Sequence, residues 1–112
     1  MDRSRAHQEL IREILLKIGN YPDVVLWTNQ VGRAKQGRFT VSYGLCRGSA
    51  DLIGIGPGGK FISAEIKTGE GVLSAVQRAW LQLVRKYGGS GFVWRSLEEA
   101  ERDVEEMRRA TT

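Results

Sequence analysis

The sequence has little of what marks secreted, membrane or thiolate-metal proteins. Cys46 is the one cysteine among 112 residues, so neither an internal disulfide nor a cysteine-based metal site can form. Apolar runs stay far below the roughly 20 residues that cross a bilayer, and the charged N-terminal segment is untypical of a signal peptide. These absences favour a cytoplasmic protein.

Repeats and low-complexity tracts are also missing, which argues against a solenoid or a disordered chain. The length suits one domain with a modest core, and the hydrophobic content of 41% is that of an ordered globular protein. We therefore expect a single domain over residues 1–112.

The charge is unevenly distributed along the chain. The formal net charge is +4, and residues 98–112 carry six acids against three arginines, a balance of −3, so residues 1–97 carry +7. A basic body suits a phosphate-binding surface, and we expect the acidic final helix to face away from nucleic acid.

The most informative stretch covers residues 48–67. Two short, β-branched halves flank a glycine-rich turn, a pattern typical of a β-hairpin. If the loop is the three residues Pro57–Gly59, the register places Asp51 directly opposite Glu65, with Lys67 on the same face. A loop of two or four residues would turn Asp51 to the other face.

Two carboxylates and an amine in one patch suit phosphodiester hydrolysis. Asp51 and Glu65, with the backbone carbonyl of Ile66, would form an oxygen site for Mg²⁺ or Mn²⁺. Lys67 would orient a water molecule or offset phosphate charge. The alternative is a surface salt-bridge cluster without catalytic meaning.

Three segments together resemble a known family. Gly48–Asp51, Glu65–Lys67 and Ser74–Gln77 are similar to the motifs of the VRR-NUC (virus-type replication–repair nuclease) domain, in the PD-(D/E)xK nuclease superfamily. The likeness extends from the first helix to Leu97 and is to the small stand-alone phage form. Ala50 stands where the superfamily has a proline. The position tolerates this change because the chemistry is performed by the aspartate that follows it.

The resemblance implies a restriction-endonuclease-like fold and a Mg²⁺- or Mn²⁺-dependent endonuclease. Its substrate would be four-way (Holliday) junctions or other branched DNA, and a homodimer would cut it. The protein would act in the cytoplasm, which is that of the bacterial host if a phage encodes the protein. Gln77 would contact the active site, and Asn29 and Ser49 would lie near DNA. The alternatives are a catalytically weak DNA-binding module, a general nicking nuclease and a small basic structural protein.

The first helix leaves one site residue open. The family usually has a glutamate there, and alignment on the apolar positions places His7, the only histidine, at that point. Glu9 and Glu13 are nearby substitutes on less suitable faces. A lone inward histidine is more often a core residue than a ligand.

Residues 32–47 are basic, with no acid among them. The basic residues Arg33, Lys35, Arg38 and Arg47 suggest a flap that holds the DNA backbone. Phe39, Val41 and Tyr43 alternate with polar residues and predict a short extra strand. Asn29 just before this flap either binds substrate or hydrogen-bonds the next loop.

The predicted fold is α/β, in the order α-β-β-β-α-β-α, with a mixed sheet flanked by helices. The predicted helices are 4–18 with Ser4 as N-cap, 75–87 and 97–109, and the strands are 24–31, 48–55, 60–67 and 91–95. The middle helix begins with a capping box of Ser74 and Gln77. Its predicted buried stripe is Val76, Ala79, Trp80, Leu83, Val84 and Tyr87.

Aromatic residues bear on assembly. Trp27 and Trp80 are expected in the core, which leaves Tyr21, Phe39, Tyr43 and Trp94 as material for an exposed patch. Such a patch would provide the interface of the homodimer.

Overall fold

The computed structural model describes residues 3–111. In chain order the elements are α1 (Arg3–Ile18), β1 (Val25–Thr28), β2 (Gly32–Gln36), β3 (Phe39–Tyr43), β4 (Leu52–Ile55), a 3₁₀ turn (Pro57–Gly59), β5 (Phe61–Ile66), α2 (Ala75–Lys86), β6 (Ser90–Trp94) and α3 (Leu97–Thr111).

The main sheet has the strand order β1-β4-β5-β6. The β5–β6 pair is parallel and the other pairs are antiparallel, so the predicted mixed sheet is confirmed. Strands β2 and β3 form a separate antiparallel pair, called the ribbon below. The predicted extra strand at Phe39–Tyr43 is β3, whereas β2 was not predicted and the first strand ends at Thr28 instead of Val31.

The helices cover the two faces of the sheet unequally. Helices α1 and α3 pack on one face, where the main core lies. That core comprises Leu10, Ile14, Ile18, Val24, Leu26, Leu52, Ile62, Ala64, Ile66, Trp94, Ala100, Val104 and Met107. Helix α2 lies on the other face, over β5 and β6. None of the helices within residues 3–111 is long and apolar enough to cross a bilayer.

Helix α1 follows its sequence pattern closely. Leu10, Ile14 and Ile18 are buried because their spacing puts them on one side of the helix. The helix begins at Arg3, so Ser4 lies inside its first turn. The prediction that Ser4 is the N-cap is therefore wrong.

Helix α2 has the predicted start but not the predicted buried face. The Ser74 hydroxyl accepts from the Gln77 N–H at 3.2 Å and the Gln77 side chain accepts from the Ser74 N–H at 2.9 Å, which is the capping box. The helix buries Leu81 and Val84. The predicted stripe is therefore wrong at four exposed positions, Val76, Ala79, Leu83 and Tyr87.

The expectation for two tryptophans is reversed. Trp94 is fully buried against the core, whereas Trp27 on β1 is 50% exposed. The cause is coverage: α2 reaches β5 and β6, and β1 at the opposite edge presents Trp27 to solvent on that face.

Exposed apolar side chains form one continuous surface on the α2 side of the sheet. Cross-strand pairing sets Val25 beside Ile55, and Ile55 beside Phe61. A groove of about 210 Å³ joins Phe61 to α2. We call this the apolar surface; it consists of the half-buried Trp80 and the exposed Val25, Trp27, Ile55, Phe61, Leu83 and Tyr87.

The hairpin register is the predicted one. Leu52 pairs with Ala64 and Ile55 with Phe61, and the Gly56 N–H donates to the Lys60 carbonyl at 2.7 Å. Continuing this register by one residue sets Asp51 opposite Glu65. The loop is the three-residue 3₁₀ turn.

Candidate active site

The site lies where β4 begins and β5 ends. Asp51 directly precedes β4 and Glu65 is the penultimate residue of β5. The Asp51 Oδ2 atom accepts from the Ile66 N–H at 2.9 Å, which holds the carboxylate against the end of β5. The hairpin thus brings the two carboxyl groups together, as the sequence predicted.

The approach to Asp51 needs a glycine. Gly48 has φ of +86°, a backbone conformation that residues other than glycine rarely adopt. A Cβ atom at Gly48 would also collide with Val76 of α2. The backbone at Gly48 therefore packs closely against α2, and Ala50 is fully buried; together they position Asp51 at the site.

Glu65 is a buried acid with an incomplete set of partners. The residue is 3% exposed; its Oε1 atom accepts from Gln77 Nε2 at 3.1 Å and lies 4.0 Å from the Lys67 ammonium. Its Oε2 atom is buried and has no hydrogen-bond partner among the described residues. Buried polar atoms are nearly always paired, so this oxygen requires an explanation.

Burial raises the pKa of Glu65 to about 8, and the adjacent carboxylate of Asp51 adds to this rise. The Lys67 ammonium acts in the opposite direction. Near neutral pH the Glu65 carboxyl therefore carries a proton, which removes one of two adjacent negative charges. A divalent cation between the two carboxylates would satisfy the same oxygen atoms without the proton.

His7 is the residue of α1 that reaches the site. Its Nε2 atom lies 3.0 Å from the Ile66 carbonyl oxygen and 3.3 Å from Asp51 Oδ2. Because a carbonyl can only accept, Nε2 carries the hydrogen and donates it. The two alternatives on α1 point elsewhere: Glu13 is exposed, and Glu9 is exposed and lies 3.9 Å from Arg5.

Gln77 takes part in the capping box and also contacts Glu65. Its Oε1 atom completes the capping box, and its Nε2 atom donates to Glu65. The capping box therefore fixes the orientation of the Gln77 amide, so that its NH₂ group points to Glu65.

Lys67 borders an open cavity of about 650 Å³ beside the site. Its side chain is mostly buried, and its backbone is held by the pairing of its N–H with the Trp94 carbonyl at 3.1 Å. Ser4 and Thr68 line the cavity and were not predicted as site residues. Thr68 directly follows Lys67 in the sequence, which was the available signal.

Asn29 ties the base of the ribbon to the site. Its backbone N–H donates to the Asp51 carbonyl, and its Nδ2 donates to Ser49 Oγ and to the Ala50 carbonyl, each at 2.8 Å. Its Oδ1 accepts from the Leu45 N–H at 3.3 Å. Of the two possibilities for Asn29, the structure contains the loop-bonding one, and Ser49 is engaged in the same contacts.

The predicted DNA-binding side chains of the ribbon segment are Arg33, Lys35, Arg38 and Arg47, and all four are exposed. The ribbon carries the first three, and Arg47 follows it toward Gly48. Arg33 and Arg47 border a cavity at the base of the ribbon, and among the described residues none of the four cations pairs with Asp51 or Glu65.

A metal at this site would need more than side chains. Across residues 3–111, no three His, Cys, Asp or Glu side chains converge in a manner that could hold a metal ion. The Asp51 and Glu65 carboxylates, the Ile66 carbonyl and water form an oxygen donor set that fits Mg²⁺ or Mn²⁺. The unpartnered Oε2 of Glu65 is the observation that favours such a cation.

No protein-family model matches the sequence, and a search of curated proteins found no similar sequence. The function is therefore inferred from the geometry of the site and the motifs of the chain.

Proposed function

We propose that this protein is a Mg²⁺- or Mn²⁺-dependent endonuclease that hydrolyses phosphodiester bonds in DNA. In this proposal the chain is a stand-alone VRR-NUC domain with a restriction-endonuclease-like core. Asp51 and Glu65 hold the cation, Lys67 and Gln77 complete the catalytic group, and the ribbon binds DNA.

The observation that carries the proposal is the unpartnered, buried Oε2 of Glu65 beside the Asp51 carboxylate. A cluster that served stability alone would pair its buried oxygens, because an unsatisfied buried carboxylate costs folding free energy. Lys67, at 4.0 Å, is one cation against two acids. A buried acid that lacks a full set of partners and has a strongly raised pKa is typical of catalytic sites.

The bound cation would supply charge that polarises the phosphate and lowers the pKa of an attacking water. Asp51, Glu65 and the Ile66 carbonyl would hold it. Glu65 must first lose its proton, so cation uptake and deprotonation are linked. His7 Nε2 donates to the Ile66 carbonyl and to Asp51 Oδ2, and it would hold these two groups in place beside a bound cation.

The remaining residues position the reactants. Hydrolysis adds water to phosphorus and breaks one P–O bond, with negative charge growing on the phosphate oxygens. The Lys67 ammonium borders the cavity and can donate to those oxygens or to the attacking water. Gln77 holds Glu65 Oε1, which keeps the carboxylate in one orientation.

The DNA substrate is inferred from charge. Between Asp23 and Asp51 the chain has no acidic residue, and this segment contains the ribbon with its three exposed cations and, after it, the exposed Arg47. The motif resemblance adds the expectation of branched DNA, in particular four-way junctions.

We further propose that the protein acts as a homodimer joined through the apolar surface. Monomeric proteins seldom expose so many adjacent aromatic and aliphatic side chains; Tyr87, for example, is 78% exposed. Its seven members carry no formal charge, which suits contact between identical copies about a two-fold axis. Leu83→Asp should shift light scattering at micromolar concentration from dimer to monomer, whereas Leu16→Asp, on the exposed side of α1, should not.

The proposal is tested by incubating the protein with linear, nicked and four-way-junction DNA in Mg²⁺ or Mn²⁺. Cleavage that stops in excess EDTA and in the Lys67→Ala variant supports a nuclease. Binding without cleavage would identify a DNA-binding module. The absence of both binding and cleavage would identify a structural protein.

A further inference from the structure

The ribbon has two chemically different faces. Its register pairs Arg33 with Ser42 and Lys35 with Thr40, and directly paired residues point to the same side. That side is basic and polar. Since side chains alternate along a strand, the other side carries the apolar members of β3, namely Phe39, Val41 and Tyr43.

Phe39 is the aromatic residue at the ribbon's tip. It follows the two-residue turn Gly37-Arg38, in which Gly37 has φ of +64°, and it is 66% exposed. The Arg38 guanidinium lies 5.6 Å from its ring centroid. Tyr43 at the other end lies against the ribbon itself, because a Cβ on Gly32 would meet its hydroxyl. The tip therefore presents one aromatic ring with a cation beside it.

The base of the ribbon is fixed to the candidate active site. Asn29 bonds to Ala50 and Asp51, the residues that enter β4. Eight residues lead from Asn29 to Gly37 at the tip, and a strand rises about 3.3 Å per residue, so the tip lies at most about 26 Å from Asn29. The tip and Asp51 can therefore contact the same nucleic acid molecule.

The charge favours nucleic acid as the occupant. The ribbon carries three cations and no acid on ten strand residues and the turn between them. An exposed aromatic ring with a guanidinium beside it, on a ribbon whose other face is basic, suits stacking on a nucleobase next to the phosphate backbone.

We propose that Phe39 inserts beside an unstacked base and thereby directs the enzyme to interrupted or branched DNA. This inference rests on the proposed nuclease function and names its substrate-selecting residue. Separating two bases of an intact duplex costs about as much as one aromatic contact returns, so a single Phe gains most where the stack is already broken. A branch point supplies such a break.

The geometry also sets where the cut falls. At about 3.4 Å per nucleotide along one strand, a reach of at most about 26 Å corresponds to about eight nucleotides. Cleavage should therefore lie within about eight nucleotides of the base that contacts Phe39.

The experiment compares a four-way junction with an unbranched duplex of matched length. All proteins carry Lys67→Ala to keep the DNA intact, and 2-aminopurine at the branch point reports unstacking by its fluorescence. Phe39→Ala removes the ring, Phe39→Trp restores stacking, and Val41→Ala is the control on the same face of the ribbon. Thermal unfolding of each variant verifies the fold.

Phe39→Ala should weaken junction binding by roughly 5- to 100-fold, the range for loss of one base–aromatic stack. Duplex binding should stay within about two-fold, the fluorescence increase should disappear, and Phe39→Trp and Val41→Ala should behave like their parent. Equal losses on both DNAs, or an unchanged fluorescence increase, would refute insertion and leave the nuclease proposal standing. A parent protein that binds neither DNA would refute both.

Discussion

Replacing Glu65 with Gln tests the central feature of the site without any assay of activity. Gln has the shape of Glu, can accept from Gln77 at Oε1 and is uncharged like the protonated carboxyl. It cannot ionise. The substitution therefore preserves the contact with Gln77 and removes the titratable group.

The magnitude follows from linkage between protonation and folding. Burial first, and then the adjacent Asp51, raises the pKa of Glu65 from an ordinary value of 4.5 to about 8 in the folded protein. Between these values the folded state holds a proton that the unfolded state has lost, so the stability contributed below pH 4.5 declines as pH rises and is gone above about 8. A pKa change of this size corresponds to at most about 5 kcal/mol, a large part of a small domain's stability.

The assay is denaturant or thermal unfolding in chelator between pH 4.5 and 9, for the wild type, Glu65→Gln and Glu13→Gln. Glu13 is an exposed carboxylate of α1 and controls for loss of one surface charge. The wild type and Glu13→Gln should lose a few kcal/mol across this range, whereas Glu65→Gln should lose much less. At pH 9 the Glu65→Gln protein should be the most stable, by about 4 °C in Tm for each kcal/mol.

A wild-type stability that stays level between pH 5 and 8 would refute the reasoning, because Glu65 would then ionise as easily folded as unfolded. A Glu65→Gln protein that keeps the wild-type slope would refute it equally. In either case the site would be an ordinary ion-pair cluster.

Two further predictions concern ligands. Millimolar Mg²⁺ or Mn²⁺ should raise Tm by more at pH 8 than at pH 6, since Glu65 must release its proton, and Asp51→Asn should abolish the increase; an equal increase in that variant would place the cation elsewhere. Neutralising Arg33, Lys35 and Arg38 should weaken DNA binding and reduce the slope of log K against log salt by about 0.9 for each phosphate that the protein no longer neutralises, while the metal-induced Tm increase persists; an unchanged slope would put the DNA on another surface.

The hairpin was predictable because its local chemistry leaves few choices. Gly56-Pro57-Gly58-Gly59 allows a three-residue turn, and the turn length alone sets Asp51 against Glu65. The capping box of α2 was predictable for the same reason, since both partners lie within four residues.

The exposed side of α2 was not predictable from its pattern. An apolar stripe shows which side of a helix avoids water in the final assembly, but not whether a second layer of the same chain covers it. Here β1 and β4 are left bare on that face, so Leu83, Tyr87 and Trp27 remain exposed. A sequence pattern contains no measure of how far a helix extends across a sheet.

Strand β2 was missed because Gly-Arg-Ala-Lys-Gln has low strand propensity by itself. It forms by pairing with β3 across the Gly37 turn. The contact of His7 with Asp51 joins residues 44 apart, so the helical pattern could indicate an inward side but not its partner. Asn29, at the end of β1, likewise depends on the later return of residues 45–51.

The most direct measurement of the central claim is cleavage of a four-way junction by the wild type and Lys67→Ala, each in Mg²⁺ and in EDTA. Lys67 borders the cavity beside the site, and thermal unfolding verifies that the Lys67→Ala protein is folded. The account predicts strand cleavage by the wild type in Mg²⁺, none in EDTA, and none by a folded Lys67→Ala protein. Cleavage that persists in EDTA, or in the Lys67→Ala protein, would contradict it.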